Sequence, residues 1–192
     1  MARPRLASHQ KKARRQGADI VFIDETGFSF RSRVGLTWAP KGQTPVLRRV
    51  SKRRELSTIV GLTVSGRLLK RHFKHSIHGS DVVIFLKHLH QRLGTPLIVV
   101  WDSLSAHKSK EVKNYVALNR KISLEWLPPY APDLNPEEVC HGNAKQHLRN
   151  AAPEDEDEIR RQANREFARI GRDHELLMSF FRHAGISVKS LT

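Results

Sequence analysis

Three acids in this chain stand where carboxylates can do chemistry. Asp24 closes the short apolar run DIVFID, Asp102 follows the apolar run LIVVW, and Glu138 lies one turn into a helix that Asn135-Pro136 can begin. In open α/β sheets the ends of central strands are ligand sites, because loops diverge there and backbone can approach a ligand. Two such strands lying side by side would bring Asp24 and Asp102 within reach of shared metal ions. Three acids converging on one point repel one another strongly without cations. With Mg²⁺, which prefers carboxylate oxygens and retains waters, they become a functional site. Two such ions can activate an attacking water or 3′-hydroxyl and stabilise the leaving oxygen of a phosphodiester.

Each acid also has a plainer reading. Asp102 can end a strand and turn the chain. Glu25 directly follows Asp24 and is a rival ligand, although Asp24 is nearer the strand. Glu138 would occupy the third helical position behind an Asn135 N-cap, where a Glu reaches back to the cap N–H and suits the helix dipole. Glu137 would be equally comfortable in that first turn.

The elements that must position these acids follow from pattern. DIVFID reads as a short strand, and GFSFRSRVGLTWAPKGQTPVLRRV as one or two hairpin strands with Trp38 in the hairpin core. Leu56–Val64 continues as a β-type run, and Ser65-Gly66 turns it into Arg67–Lys74. Ser80 reads as the N-cap of a helix carrying Val82, Phe85, Leu86, Leu89 and Leu93, stopped by Gly94. LIVVW, bounded by Pro96 and Asp102, is the continuous apolar run of a central strand covered on both faces. Ser109 can cap a helix with Val112, Tyr115 and Val116, Ile122–Leu127 is a further strand, and Asn135-Pro136 places Asn at an N-cap and Pro at the first helical position. Ile159, Ala163, Phe167 and Ile170 mark a helix over about 155–170, and Leu176, Leu177, Phe180 and Phe181 a short last one. Early strands followed by β-α-β alternation predict an α/β fold, a mixed sheet with helices on its faces.

Charge narrows the partner. The 192 residues carry 34 Lys and Arg against 19 Asp and Glu, a net +15, and residues 1–54 alone hold a net +11. Concentrated Lys and Arg attract polyanions by releasing condensed counterions from phosphates. Five positive charges within seven residues, Arg48, Arg49, Lys52, Arg53 and Arg54, make nucleic acid the leading partner, and no amphipathic apolar face accompanies them to favour a membrane. No apolar run approaches the roughly 20 residues that span a bilayer, and the basic N-terminus lacks the apolar region of a secretory signal. The single cysteine, Cys140, excludes an internal disulfide and fits a reducing cytosol.

Other signals are weak. His72, His75 and His78 lie three apart, but neither paired Cys-x-x-Cys nor His-x-x-x-His spacing supports zinc, and these histidines more simply extend a DNA-facing surface. The acidic run 154–158 suits the first turn of an exposed helix. Ser57, Ser103 and Ser105 lack a G-x-S-x-G context.

The stretches IDETGFSF, GLTWAPKGQTP, VVWDSLSAHKS and WLPPYAPDLNPEE, in this order, resemble the DDE transposases of the mariner superfamily, especially its bacterial insertion-sequence branch. The resemblance covers about residues 17–150. It implies a ribonuclease-H-like mixed five-stranded sheet with helices on both faces, and it implies Asp24, Asp102 and Glu138 as catalytic metal ligands for Mg²⁺ or Mn²⁺. The implied reaction is cleavage at transposon ends and attack of the freed 3′-hydroxyl on target DNA, by a homodimer on DNA in the bacterial cytoplasm at the nucleoid. Arg31, Arg33, Lys41, Arg48, Arg49, Lys52, Arg53 and Arg54 are then expected to hold DNA backbone. His107, five residues beyond Asp102, matches a His often seen in that motif and is expected, with Lys108, to contact phosphate or to organise the site.

The domain plan expected is a basic arm over 1–16, a catalytic core over 17–150 and a C-terminal helical extension over 151–192 packed on the core. Relatives of this kind carry N-terminal helix-turn-helix modules. Too few residues precede Asp19 to form one, so end recognition is expected from a separate helix-turn-helix polypeptide or a frameshift fusion. Three departures from the family pattern stand out. Ser103 replaces the usual Asn after the second Asp, and Glu137 replaces an aliphatic residue before Glu138. Cys140, His141 and Ala144 stand where aliphatic and Trp residues are typical, which implies a thinner packing face on that helix.

Overall fold

The computed structural model describes residues 12–30, 35–46, 55–129 and 131–187. A five-stranded sheet runs through it in the order β3-β2-β1-β4-β5, with β1 at Asp19–Ser29, β2 at Glu55–Thr63, β3 at Leu68–Phe73, β4 at Leu97–Trp101 and β5 at Ile122–Trp126. β1, β2 and β3 pair antiparallel, whereas β1, β4 and β5 pair parallel. The strand carrying Asp24 is therefore the seam between the two halves of a mixed sheet.

Side-chain alternation divides the core into two layers. Phe22, Phe28, Leu56, Val60, Leu62, Ile98 and Val100 face helices α3 (Pro136–His147), α4 (Glu156–Arg172) and α5 (His174–His183). Val21, Ile23, Ile59, Val99 and Trp101 face α1 (Gly79–Leu93) and α2 (Lys110–Leu118). All five residues of β4 are buried, as a strand covered on both faces requires. Burial of each such large apolar side chain contributes ~1.5–3 kcal/mol relative to exposure. A helical stretch over 12–16 precedes β1 and buries Ala13. Among the described residues no helix is long and apolar enough to cross a membrane.

The helical spacings resolve as read. Ile159, Ala163, Phe167 and Ile170 form the buried face of α4, and Leu177, Phe180 and Phe181 are buried on α5. Ser109 caps α2 by accepting from the Val112 N–H, and Gly94 ends α1 in the left-handed region, at φ 72°. Gly66 makes the β2–β3 turn at φ 87°.

Four expectations are corrected. The strand begun by DIVFID does not stop at Asp24 but runs on to Ser29, because β2 supplies a partner as far as Ser29 opposite Glu55. The segment after it is no hairpin over 35–46, where no strand forms, and Trp38 is 100% exposed rather than core. The N-cap of α1 is His78, not Ser80: the Asp81 carboxylate reaches back to accept the His78 N–H at 2.9 Å, starting the helix two residues earlier. Cys140, His141 and Ala144 do not thin α3, since all three are buried and the two small ones fill the layer against the sheet.

Candidate active site

Parallel pairing sets the first relationship in the site. β1 and β4 are in register through Phe22 opposite Val100, so two further positions along bring Asp24 level with Asp102. β4 ends at Trp101 and leaves Asp102 on the loop, whereas Asp24 remains inside a strand. Asp24 is thus at the end of the parallel ladder rather than at the end of its strand.

Alternation also separates Asp24 from Glu25. Asp24 shares the face of Phe22 and Phe28 and lies under α3, only 8% exposed. Its Oδ2 accepts from Asn135 Nδ2 at 2.9 Å and its Oδ1 from the Glu25 N–H at 2.8 Å. Glu25 points to the other face, where its Oε1 meets His107 Nε2 at 2.7 Å. Of the two adjacent acids, Asp24 is the one turned toward the helix that carries Glu138.

Asn135 builds the third side. Its Oδ1 accepts from the Glu137 N–H at 3.2 Å and caps α3, while its amide nitrogen holds Asp24. Glu138 follows one turn in, exposed, with its N–H donated to the Asn135 carbonyl at 3.2 Å. The neighbouring Glu137 is turned inward and is 0% exposed, with its Oε2 3.5 Å from His141 Nε2. Burial, together with the charge of Asp24, pushes its pKa well above the carboxylate range. Exposure therefore selects Glu138 over Glu137 as the acid available to a ligand.

Burial pushes Asp24 up to about 7, and the charges of Glu25, Glu138 and Asp102 add to it against the Glu25 N–H. Among the described residues no three His, Cys, Asp or Glu side chains are drawn into a ready metal cage. Asp102 and Glu138 nonetheless lie near enough for their charges to act on Asp24, and like charges repel without a counter-ion. The donor set fits a hard divalent cation: it is carboxylate oxygen throughout, and a cation would relieve the repulsion that raises Asp24.

His107, expected to contact phosphate or to organise the site, lies inside the protein. It is 1% exposed, stacked on Trp101 at 4.4 Å between ring centroids, and both ring nitrogens are engaged by protein oxygens. Lys41 and Lys108 are exposed, with Lys108 Nζ 5.7 Å over the Trp126 ring. Arg31, Arg33, Arg48, Arg49, Lys52, Arg53 and Arg54 lie outside the described residues. His72, His75 and His78 go to local structure: His72 bonds Thr58 and Asn164, His75 meets Asp81, and the His75 and His78 rings stack.

Two functional contacts escaped sequence reading. Asn135 is legible as a cap but not as the donor to Asp24, and Glu25 is legible as an acid but not as the partner of His107. Strand parity was the one available signal, since it puts Glu25 opposite Asp24 whatever surrounds them.

A mixed sheet in this order, with helices on both faces and acids at the seam of its parallel and antiparallel halves, defines the ribonuclease-H-like class. The chain belongs to the DDE superfamily endonuclease family, whose sequence model matches residues 19–160. Among solved structures, the mariner Mos1 paired-end complex with Mg superposes with a TM-score of 0.66 at 17% identity, over 96% of this chain and 57% of that one. The Mos1 paired-end complex with the left transposon end gives 0.63 at 17% identity, over 93% and 59%. The catalytic domain of Mos1 mariner transposase gives 0.60 at 16% identity, over 96% and 85%. The chain thus spans about three fifths of the length of the Mos1 chains in the paired-end complexes. A curated aspartate carbamoyltransferase catalytic subunit from Anaeromyxobacter sp. (strain Fw109-5) is 28% identical over 82 residues, covering 43% of this chain and 23% of that protein.

Proposed function

We propose that this chain is the catalytic domain of a transposase of the mariner superfamily, of the bacterial insertion-sequence branch, cleaving DNA and transferring strands with Mg²⁺ or Mn²⁺. The observation that carries the reading is that β1 and β4 pair in parallel register up to Phe22 and Val100, two residues short of Asp24 and Asp102, while Asn135 at the start of α3 bonds Asp24 and so brings Glu138 to the same side. Asp24 and Asp102 would share the ions and Glu138 would complete the second site. The chemistry supplied by bound metal is activation of the attacking water or 3′-hydroxyl and stabilisation of the leaving oxygen. The chain's own residues supply position. Asn135 fixes the Asp24 carboxylate and the start of α3 with one amide, so the first and third acids are set relative to each other. Lys41, Lys108 and the basic residues of 31–54 hold the DNA backbone, and no protein nucleophile is needed for in-line displacement at phosphorus. The working form is a homodimer on transposon-end and target DNA, with a helix-turn-helix polypeptide supplying end recognition.

A catalytically inactive DNA-binding remnant is the alternative, and the fully buried carboxyl of Glu137 beside Glu138 favours it. Nicking of DNA bearing the element's ends separates the two. The purified chain, supplied with any partner frame, should nick such DNA in Mg²⁺ and not in chelator. Asp102→Ala should abolish nicking and leave salt-sensitive binding nearly intact. Binding without nicking by the unsubstituted chain would reject the enzyme.

A further inference from the structure

We infer that His107 is a positioning residue for Asp102, tying one oxygen of that carboxylate down so that the other faces the site. The inference rests on the proposed metal-dependent reading of the acids. Asp102 needs such a restraint because it lies beyond the end of β4, on a loop without regular structure over 102–104, with its side chain 42% exposed. Its Oδ1 accepts the Leu104 N–H at 3.1 Å and lies 2.9 Å from His107 Nδ1, within ion-pair distance. The hydrogen bond of Nδ1 goes to the Asp102 carbonyl oxygen at 3.1 Å, so the ring holds the backbone of the residue as well as facing its carboxylate. Among the described residues none donates to Oδ2, which is therefore the oxygen left to a cation.

The ring doing this is itself held on two sides. Trp101, the last residue of β4, stacks on it with planes 6° apart. Nε2 donates to Glu25 Oε1, and Glu25 is fixed by its place in β1 beside Asp24. The result is a chain from β1 through Glu25 and His107 to Asp102, which ties the loop acid to the strand that carries the first acid. Partners that orient a metal ligand in this way are commonly worth about 10–100-fold in metal affinity. The role also accounts for an imidazole with both nitrogens facing acceptors, an arrangement of no use for contacting phosphate.

The test separates the two ends of the ring. His107→Asn places an amide N–H near the Nδ1 position and keeps the Asp102 contact, whereas His107→Gln reaches toward the Nε2 position and keeps only the Glu25 contact. Mn²⁺ binding to the full chain, without DNA, is measured by electron paramagnetic resonance or calorimetry, alongside melting midpoints. Expected is a loss of about tenfold or more in affinity for His107→Gln and a smaller loss for His107→Asn, at comparable melting midpoints. Should both variants bind Mn²⁺ as tightly as the parent while Asp102→Asn binds weakly, His107 is only a packing residue and the inference fails. Should the parent and Asp102→Asn bind Mn²⁺ alike, the metal reading of the acids fails first, and the inference with it.

Discussion

Asn135 Nδ2 donates to Asp24 Oδ2 at 2.9 Å, while the oxygen of the same amide caps α3 through the Glu137 N–H. Only a side chain with both a donor and an acceptor can do this. Asp is as good an N-cap as Asn, but it would put a second carboxylate against one whose burial already costs stability. Asn135→Asp should therefore preserve the helix start and lower the melting temperature of the metal-free chain. The loss should be largest near pH 8, where both acids are ionised, and should shrink as pH falls and protonates one of them. Asn135→Ala, which loses the cap as well, should cost ~0.5–2 kcal/mol at any pH. A pH-independent loss for Asn135→Asp would sever the link to Asp24.

Glu137 carries a carboxyl buried at a cost. Its carboxyl is fully buried, 3.5 Å from His141 Nε2, and burial, then the charge of Asp24, raise its pKa well above the ordinary Glu value. Its folded pKa lies above the unfolded one, so the folded state binds more protons, and stability from this group falls as pH rises above the ordinary Glu range. Glu137→Leu should stabilise the metal-free chain by ~1–3 kcal/mol at pH 7, with a smaller gain near pH 4. Urea unfolding at the two pH values measures this. An unchanged or lower midpoint at pH 7 would mean that the carboxyl has a partner that offsets its burial.

How much of this was legible depends on how far apart the interacting residues lie. α1 and α4 are written in local spacing, since Val82, Phe85, Leu86 and Leu89, and Ile159, Ala163, Phe167 and Ile170, each repeat at helical intervals. β4 is legible because LIVVW is apolar without interruption. The length of β1 is not, because Glu25–Ser29 become strand only by pairing with Glu55–Ile59, some thirty residues on. The three acids are legible as types at element ends. What holds them is not, because the Asn135–Asp24 and His107–Glu25 bonds join residues 111 and 82 positions apart. The family pattern also misled at α3, where an aliphatic-to-small exchange was expected to loosen a helix that in fact packs Cys140 and Ala144 fully.

His141 gives the fold an acid-sensitive limb. It is buried on α3, 3.5 Å from Glu137, and burial, with Lys145 nearby, pushes its pKa down to about 3. In the unfolded chain it titrates near 6.5, so between those values the unfolded state binds more protons and stability falls as pH drops. His141→Phe should flatten that limb, leaving a shallower decline of the melting temperature from pH 6.5 to pH 4. An equally steep decline in the variant would assign the acid sensitivity to other groups.

Asp24 works in the opposite direction and links stability to metal. Its folded pKa of about 7 lies far above the unfolded value of 3.8. The metal-free folded state thus holds a proton that the unfolded chain releases, and its stability from this group declines as pH rises from about 4 to 7. A cation that binds the ionised acids competes with that proton, so its affinity should rise with pH through the same window. Because ligand binding to the folded state raises its stability by mass action, Mn²⁺ should lift the melting temperature by several degrees at pH 8 and little at pH 5.5. Asp24→Asn should remove most of the Mn²⁺-dependent rise while making the metal-free chain less sensitive to pH between 5.5 and 8. Glu25→Gln, on the opposite face of the strand, should retain much of the Mn²⁺ response. Equal responses from Asp24→Asn and the parent would place the cation, if one binds, away from β1, and the seam of the sheet would lose its claim to be the reaction centre.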